Sequence, residues 1–310
     1  MKDFNRLIET LTYEERASLS LRALYREAGY KQYVMSKFEE YDLYAKNKDF
    51  LVSDNIITFT DTDGRLLALK PDVTLSIIKN GRDAVGVEKL YYNEHVYRVS
   101  RGTRSFREIM QVGAECIGEV GKEEITEIIL LAKASLDEIS TDNILELSEL
   151  DIVSGVLDAL SVEGEVRERI YEYLGQKNVQ AIERLVSSES IEGGEIIARL
   201  AEISGAPSEV IPALDAFRLN DSLDKTVSGF CDILSGLVAT GARRVTVDFS
   251  LLGDMRYYNG IAIKGFVNGI PTGILSGGQY DGLMKKMKRG ARAIGFAVYL
   301  DELDKLPLAR

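Results

Sequence analysis

Gln111-Val112-Gly113-Ala114-Glu115 alternates Gln, Gly and Glu with the apolar Val and Ala. As an extended segment it puts Gln111, Gly113 and Glu115 on one face, because successive side chains of a strand point to opposite sides. A glutamate on the inward face must be hydrogen-bonded or paired, since burying an unpaired carboxylate is costly. A ligand's cation or N–H would serve, so this strand is expected to be both core and pocket wall.

Outward from it, strand-like runs alternate with turns. Asn55–Thr60, the turn Asp61–Arg65, Leu66–Leu69 and Lys89–Val99 precede the stretch, with a helix from about Pro71 to Asn80 among them. A further helix is expected over about residues 11–28, with Leu11, Leu19, Leu21 and Leu24 on one side and a break at Gly29. Thr126 to Ile139 reads as helix, and residues 150–240 as almost all helix, with breaks at Gly175, Gly193-Gly194, Gly205 to Pro207 and Gly241. Strands return at Val245–Phe249, Gly260–Val267 and Ile274–Leu275, then a helix near Tyr280–Met287 and a strand-to-helix passage, Ala293–Leu306. The order suggests an α+β fold, a mostly antiparallel sheet flanked by helices and interrupted by a helical insertion. The expected divisions are a first core part over 1–145, the helical insertion over 146–242 and a second core part over 243–310.

Charge follows this division. The chain has 310 residues and a net charge of −11, yet Asp137 to Glu195 alone holds fifteen acids against four bases, which accounts for the whole deficit. From Gly64 to Met110 nine Lys/Arg face five acids, and Arg98, Arg101, Arg104 and Arg107 recur every three residues. That spacing is open between a solvated surface and an anion-facing loop. An acidic chain argues against a nucleic-acid coat. No stretch reaches the ~20 consecutive apolar residues of a membrane span, and the start lacks the apolar core of a signal peptide, so a cytoplasmic protein is expected. Cys116 and Cys231 lie in no ligand-like spacing and are expected as two buried free thiols, with no metal site. His95, the only histidine, is expected to be a packed or surface residue.

Two more segments carry chemistry. Gly277-Gly278-Gln279-Tyr280-Asp281-Gly282 is no phosphate loop; it is open between a plain turn and a place where backbone approaches a ligand beside an aromatic and an acid. Asp254-Met255-Arg256-Tyr257-Tyr258-Asn259-Gly260 sets two tyrosines side by side, of which one can be core while the other faces a cavity.

Together these segments resemble the catalytic core of class II aminoacyl-tRNA synthetases, specifically the histidyl group. Leu69-Lys70-Pro71-Asp72-Val73-Thr74 looks like that family's Arg-Pro-Glu-Gly-Thr segment, and Val96-Tyr97-Arg98-Val99-Ser100 with Arg107 like its second class-defining motif. The Arg256-to-Gly260 and Ser276-to-Gly282 segments look like its two histidine-recognition segments, and Ala293-Ile294-Gly295-Phe296-Ala297 with Leu300-Asp301-Glu302-Leu303 like its third motif. The resemblance implies a histidine-binding set: Asp72 and Thr74 toward the ammonium, Gln111 and Glu115 toward the amino acid and its imidazole, Tyr257, Tyr258 and Tyr280 around the ring. Arg98 suits the carboxylate. The open alternative is that these polar residues only knit the core.

The same resemblance implies lost adenylation. Ser100 stands where the second motif has Glu, Glu302 where the third has Arg, and Gly253 near the place of the catalytic Arg, with Arg256 a shifted substitute. Removing one such cation typically costs about 100–1000-fold. The chain also ends at Arg310 with no anticodon-binding domain expected. A pocket kept while ATP cations are lost resembles the ATP phosphoribosyltransferase regulatory subunits. That family implies a non-catalytic subunit without cofactor and histidine as allosteric effector. It also implies a short catalytic phosphoribosyltransferase as partner, a homodimer within a hetero-oligomer, and no tRNA or membrane. The alternative is a divergent histidine-activating enzyme, a histidyl-tRNA synthetase-like ligase.

Overall fold

Val112, Ala114 and Cys116 are buried on the side opposite to Gln111, Gly113 and Glu115, and this alternation divides the molecule into a helix-packed face and a cavity face. A computed structural model describes residues 9–48, 51, 56–81, 86–99, 105–253 and 257–305. The strands are β1 (Lys31–Gln32), β2 (Phe38–Glu40), β3 (Thr58–Thr60), β4 (Leu66–Leu69), β5 (Val87–Val99), β6 (Phe106–Gly118), β7 (Asn143–Glu149), β8 (Ser204–Gly205), β9 (Val245–Asp248), β10 (Asn259–Val267), β11 (Leu275–Gln279) and β12 (Arg292–Tyr299). The α-helices are α1 (Tyr13–Glu27), α2 (Tyr41–Ala45), α3 (Thr74–Asn80), α4 (Lys122–Ile139), α5 (Leu150–Ala159), α6 (Gly164–Gly175), α7 (Val179–Ser188), α8 (Glu195–Glu202), α9 (Pro207–Val210), α10 (Asp221–Ala239) and α11 (Asp281–Lys286).

Nine strands form one sheet in the order β1-β5-β6-β12-β11-β10-β7-β9-β8, and β2-β4-β3 form a second. Pairing is antiparallel except for β1 with β5 and β7 with β9. The class II synthetase-like α+β architecture is therefore present, with its mostly antiparallel sheet flanked by helices. Sequence explains the covering helices. In α1, Thr12 and Glu15 cap each other reciprocally, Glu15 N donating to Thr12 Oγ1 at 3.1 Å and Thr12 N to Glu15 Oε2 at 2.8 Å. Leu21 and Tyr25 of α1 and Ile128, Ile129, Ala132 and Leu136 of α4, at helical spacing, join the cluster that contains Val112, Ala114 and Cys116. Among the described residues no helix is long and apolar enough to cross a membrane.

Several expectations need correction. Gly277 and Gly278 lie inside β11, not in a turn, because both flanking strands accept them into the ladder. The strand expected over Lys89–Val99 is present as β5; it carries Arg98, which stands opposite Arg107 of β6, so of the two open readings of the arginine spacing neither of these two residues is in a loop. Ser100, Arg101, Arg104 and Arg256 lie outside the described residues. Cys116 is buried, but Cys231, on the outer part of α10, is only half-buried. His95 is an exposed residue of β5.

Candidate functional site

The cavity face of the sheet can be read strand by strand from its register. Gln111, Gly113 and Glu115 of β6 pair with Glu94, Tyr92 and Leu90 of β5 on one side. On the other side they pair with Tyr299, Ala297 and Gly295 of β12. Ser276 and Gly278 of β11 continue the row, then Ala262 and Lys264 of β10. This floor, with Asp72 and Thr74 at the start of α3, Tyr280 just before α11 and the Ser250–Gly253 run, encloses a cavity of about 480 Å³. All eight residues expected from the sequence, Asp72, Thr74, Arg98, Gln111, Glu115, Tyr257, Tyr258 and Tyr280, line it.

Glu115 is its centre. Its Oε1 accepts from Thr74 Oγ1 at 2.8 Å and its Oε2 from the Tyr280 hydroxyl at 2.7 Å. Burial pushes its carboxyl up to about 8, against the pull of those two bonds, with the nearby Asp72 adding to the rise. Tyr280 stands immediately before α11, and burial followed by the proximity of Glu115 keeps its hydroxyl a neutral donor. Two close approaches explain glycines in the floor. A Cβ on Gly295 would lie 1.7 Å from Glu115 Oε2, and one on Gly113 would lie 2.5 Å from the ring and hydroxyl of Tyr92.

Asp72 and Arg98 share the adjoining wall. Asp72 Oδ1 accepts the Leu75 N–H at 2.9 Å at the start of α3, and its Oδ2 lies 4.0 Å from Arg98 Nη2. Burial raises the Asp72 carboxyl and Arg98 only partly offsets it. Arg98 Nε donates to Pro71 O at 2.8 Å, which aims the guanidinium along the same wall. Gln111 is 3% exposed and its Nε2 has no hydrogen-bond partner among the described residues, so a donor is left facing this polar enclosure. Tyr257 packs on Tyr258 and Tyr280, with ring centroids at 4.7 and 6.2 Å, and hydrogen-bonds the Thr74 side chain. Ser276 Oγ lies 3.4 Å from the Tyr299 hydroxyl on the same floor.

Sequence reasoning missed Tyr92, Ser276, Tyr299 and Lys264, although alternation along β5, β10, β11 and β12 carries them, and it missed the Ser250–Gly253 wall, which has no periodic signal. Elsewhere, Arg107 Nη2 lies 3.4 Å from Asp301, and Glu302 accepts from Thr272 Oγ1 at 2.5 Å. Gly253 sits at φ +59°, and a Cβ there would be 3.6 Å from the Tyr258 ring. Among the described residues no group of three His, Cys, Asp or Glu stands close enough to hold a metal ion.

Chemically, the enclosure offers a carboxylate and a guanidinium side by side at one end. It also offers a carboxyl held by two hydroxyls and an amide donor. This suits a small zwitterion bearing a hydrogen-bonding ring.

A family model described as histidyl-tRNA synthetase matches residues 5–303. The chain is similar to an ATP phosphoribosyltransferase regulatory subunit of Alkaliphilus metalliredigens, 27% identical over 98% of this chain and 78% of that protein. In structure it is similar to an ATP phosphoribosyltransferase regulatory subunit/histidyl-tRNA synthetase from Bacillus halodurans, with a TM-score of 0.83 and 22% identity over 99% of this chain and 82% of the other. It is also similar to a chain of the ATP phosphoribosyl transferase complex from Thermotoga maritima, with a TM-score of 0.70 and 17% identity over 93% and 97%.

Proposed function

The chain belongs to the histidyl-tRNA synthetase family, and from that premise we propose that it is the non-catalytic regulatory subunit of ATP phosphoribosyltransferase. In this reading it supports the activity of a short catalytic phosphoribosyltransferase subunit in the cytoplasm and transmits feedback inhibition by histidine, as a homodimer within a hetero-oligomer that contains no tRNA. The 1–145 and 243–310 parts form the histidine-binding core, and the 146–242 part is an insertion.

The observation that carries the reading is the Glu115 carboxyl with its Thr74 and Tyr280 donors, enclosed with Asp72, Arg98 and Gln111 in one cavity. Histidine's ammonium is set at Asp72, its carboxylate at Arg98, and its ring against Glu115 and the tyrosines. Gln111 Nε2 supplies the remaining donor. Two cations that adenylation needs are replaced: Glu302, an acid, stands where the family has an arginine, and Gly253 stands near the place of the catalytic arginine. Relatives that carry the name of the regulatory subunit support the assignment. Regulation then follows from linkage: histidine that binds the inhibited assembly more tightly pulls the complex toward it.

Calorimetry on the chain with its short catalytic partner tests this. Histidine binding that is lost in Glu115→Ala supports the reading; no binding, or binding indifferent to that change, sinks it. Robust histidine-dependent exchange of pyrophosphate into ATP would instead establish an activating enzyme.

A further inference from the structure

Asp248 is a buried carboxylate, 4% exposed, that does not line the cavity yet holds its wall. At the end of β9, its Oδ1 accepts the Ser250 N–H at 2.9 Å and the Ser250 hydroxyl at 2.6 Å. Its Oδ2 accepts from Ser204 Oγ at 3.1 Å and from Lys177 Nζ. Burial opposes its ionisation, but Lys177 and Ser250 outweigh that and hold its carboxyl below the usual range. One oxygen therefore fixes the start of the Ser250–Gly253 wall, and the other reaches the helical stretch.

Lys177 follows the C-cap of α6 and stands at φ +53°, a left-handed conformation in which glycine is the usual occupant after a helix. From that position its Nζ reaches back to Asp248, with the Lys177 side chain 47% exposed and that of Asp248 6%. Glu146 of β7 and Lys264 of β10 also face this cluster. Glu146 is half-buried, and its carboxyl is raised first by burial and then by Asp248, with Lys177 and Lys264 pulling the other way.

A second observation places the helices on the far side of the same wall. Ser250, Leu252, Gly253 and Tyr258 line the cavity and also a neighbouring groove of about 730 Å³, completed by Leu150 of α5 and by Glu168 and Tyr171 of α6. The wall thus has the ligand cavity on one side and α5 and α6 on the other.

We propose that Asp248 is a positioning residue that couples the cavity to the helical stretch: a ligand that shifts the Ser250–Gly253 wall alters the hold of Asp248 on Lys177 and with it the docking of α6. The proposal rests on the reading of the cavity as a histidine site and names how occupancy leaves it. Coupling is reciprocal, so the state of α6 must equally change affinity in the cavity.

The test uses the full chain, alone and assembled with its short catalytic partner, as wild type, Lys177→Met, Lys177→Arg and Asp248→Asn. Histidine affinity is measured in both states, and hydrogen exchange of α6 with and without histidine. Lys177→Met is expected to keep the affinity of the isolated chain within about twofold. The ratio between assembled and isolated affinities should fall at least about fivefold and the histidine-dependent exchange in α6 should disappear. Lys177→Arg is expected to restore both, and Asp248→Asn to behave like Lys177→Met in the ratio. A wild-type ratio and a wild-type α6 response in Lys177→Met overturn the proposal while leaving the histidine site standing. Absence of any histidine binding to wild type overturns both.

Discussion

The Tyr280 hydroxyl donates to Glu115 Oε2 at 2.7 Å across 165 residues of sequence, joining the start of α11 to the floor of the sheet. The bond is buried, and among the described residues Glu115 has only Thr74 as its other donor. Tyr280→Phe leaves that carboxyl, 2% exposed, short of one partner. The expected loss is about 1–3 kcal/mol of unfolding free energy, read from the urea midpoint at unchanged slope. Histidine affinity should fall in the same variant, since the ring end of the cavity loses its fixed acceptor.

The elevated Glu115 carboxyl predicts a pH dependence with a definite sign. In the unfolded chain a glutamate titrates near its ordinary value, while in the fold burial holds the group protonated up to about 8. Between those values the folded state binds the extra proton. Stability from this group is therefore complete below the unfolded value and declines as pH rises toward 8. Glu149, also pushed up to about 8 by burial, declines over the same window. Glu115→Gln should flatten the loss of stability between roughly pH 5 and 8 without abolishing it, because Glu149 remains. A melting temperature series across that range checks it, and an unchanged slope in the variant contradicts the assignment.

How much of this was legible depends on whether a residue's neighbours are local. The floor of β6 was readable because Gln111, Gly113 and Glu115 obey the two-residue period, and the α+β order was readable because helical and strand periods alternate along the chain. Tyr280 was readable at a helix start, and the resemblance to class II synthetases carried Asp72, Thr74 and Arg98 into the same enclosure. Tyr92, Ser276 and Tyr299 were not found, since alternation alone does not say which face meets a cavity. Gly277-Gly278 stayed open as a turn because a glycine pair marks turns locally, whereas the reason for Gly277 is tertiary: a Cβ there would lie 2.3 Å from Gly295 O of β12. The Ser250–Gly253 wall has no period at all and is set by Asp248.

Two glycine substitutions separate crowding from propensity. Gly295→Ala places a methyl group 1.7 Å from Glu115 Oε2 and 2.7 Å from Ala114 O, so either the carboxyl or the strand pair must move. A cost of about 1–3 kcal/mol and loss of histidine binding are expected. Gly282, in α11, has no atom within 4 Å of such a methyl group and no left-handed φ. Gly282→Ala should be neutral to stabilising by up to about 1 kcal/mol, with binding retained. Equal costs at the two positions, measured by denaturant unfolding, would remove the steric account of the floor.

Lys70 and Glu94 form an ion pair that braces the cavity from behind. The Lys70 side chain is 1% exposed and that of Glu94 15%. Lys70 also joins three segments through its backbone: its N–H donates to Lys37 O at 3.2 Å and its carbonyl accepts the Tyr97 N–H at 2.8 Å. Glu94 accepts the Met35 N–H at 3.3 Å and stands opposite Gln111 in the β5–β6 register. Lys70→Met keeps the length of the side chain but strips Glu94 of its cation, which costs about 3 kcal/mol. That figure is the lower end for a broken buried pair, because Glu94 retains some access to water. Lys70→Met with Glu94→Leu removes the stranded charge as well. The double variant should recover part of the stability lost by Lys70→Met, giving a coupling of about 1–3 kcal/mol in a double-mutant cycle by urea unfolding. Additive losses would mean that the two side chains do not act on each other, and the brace behind Gln111 would then have to be sought in the backbone bonds of Lys70 alone.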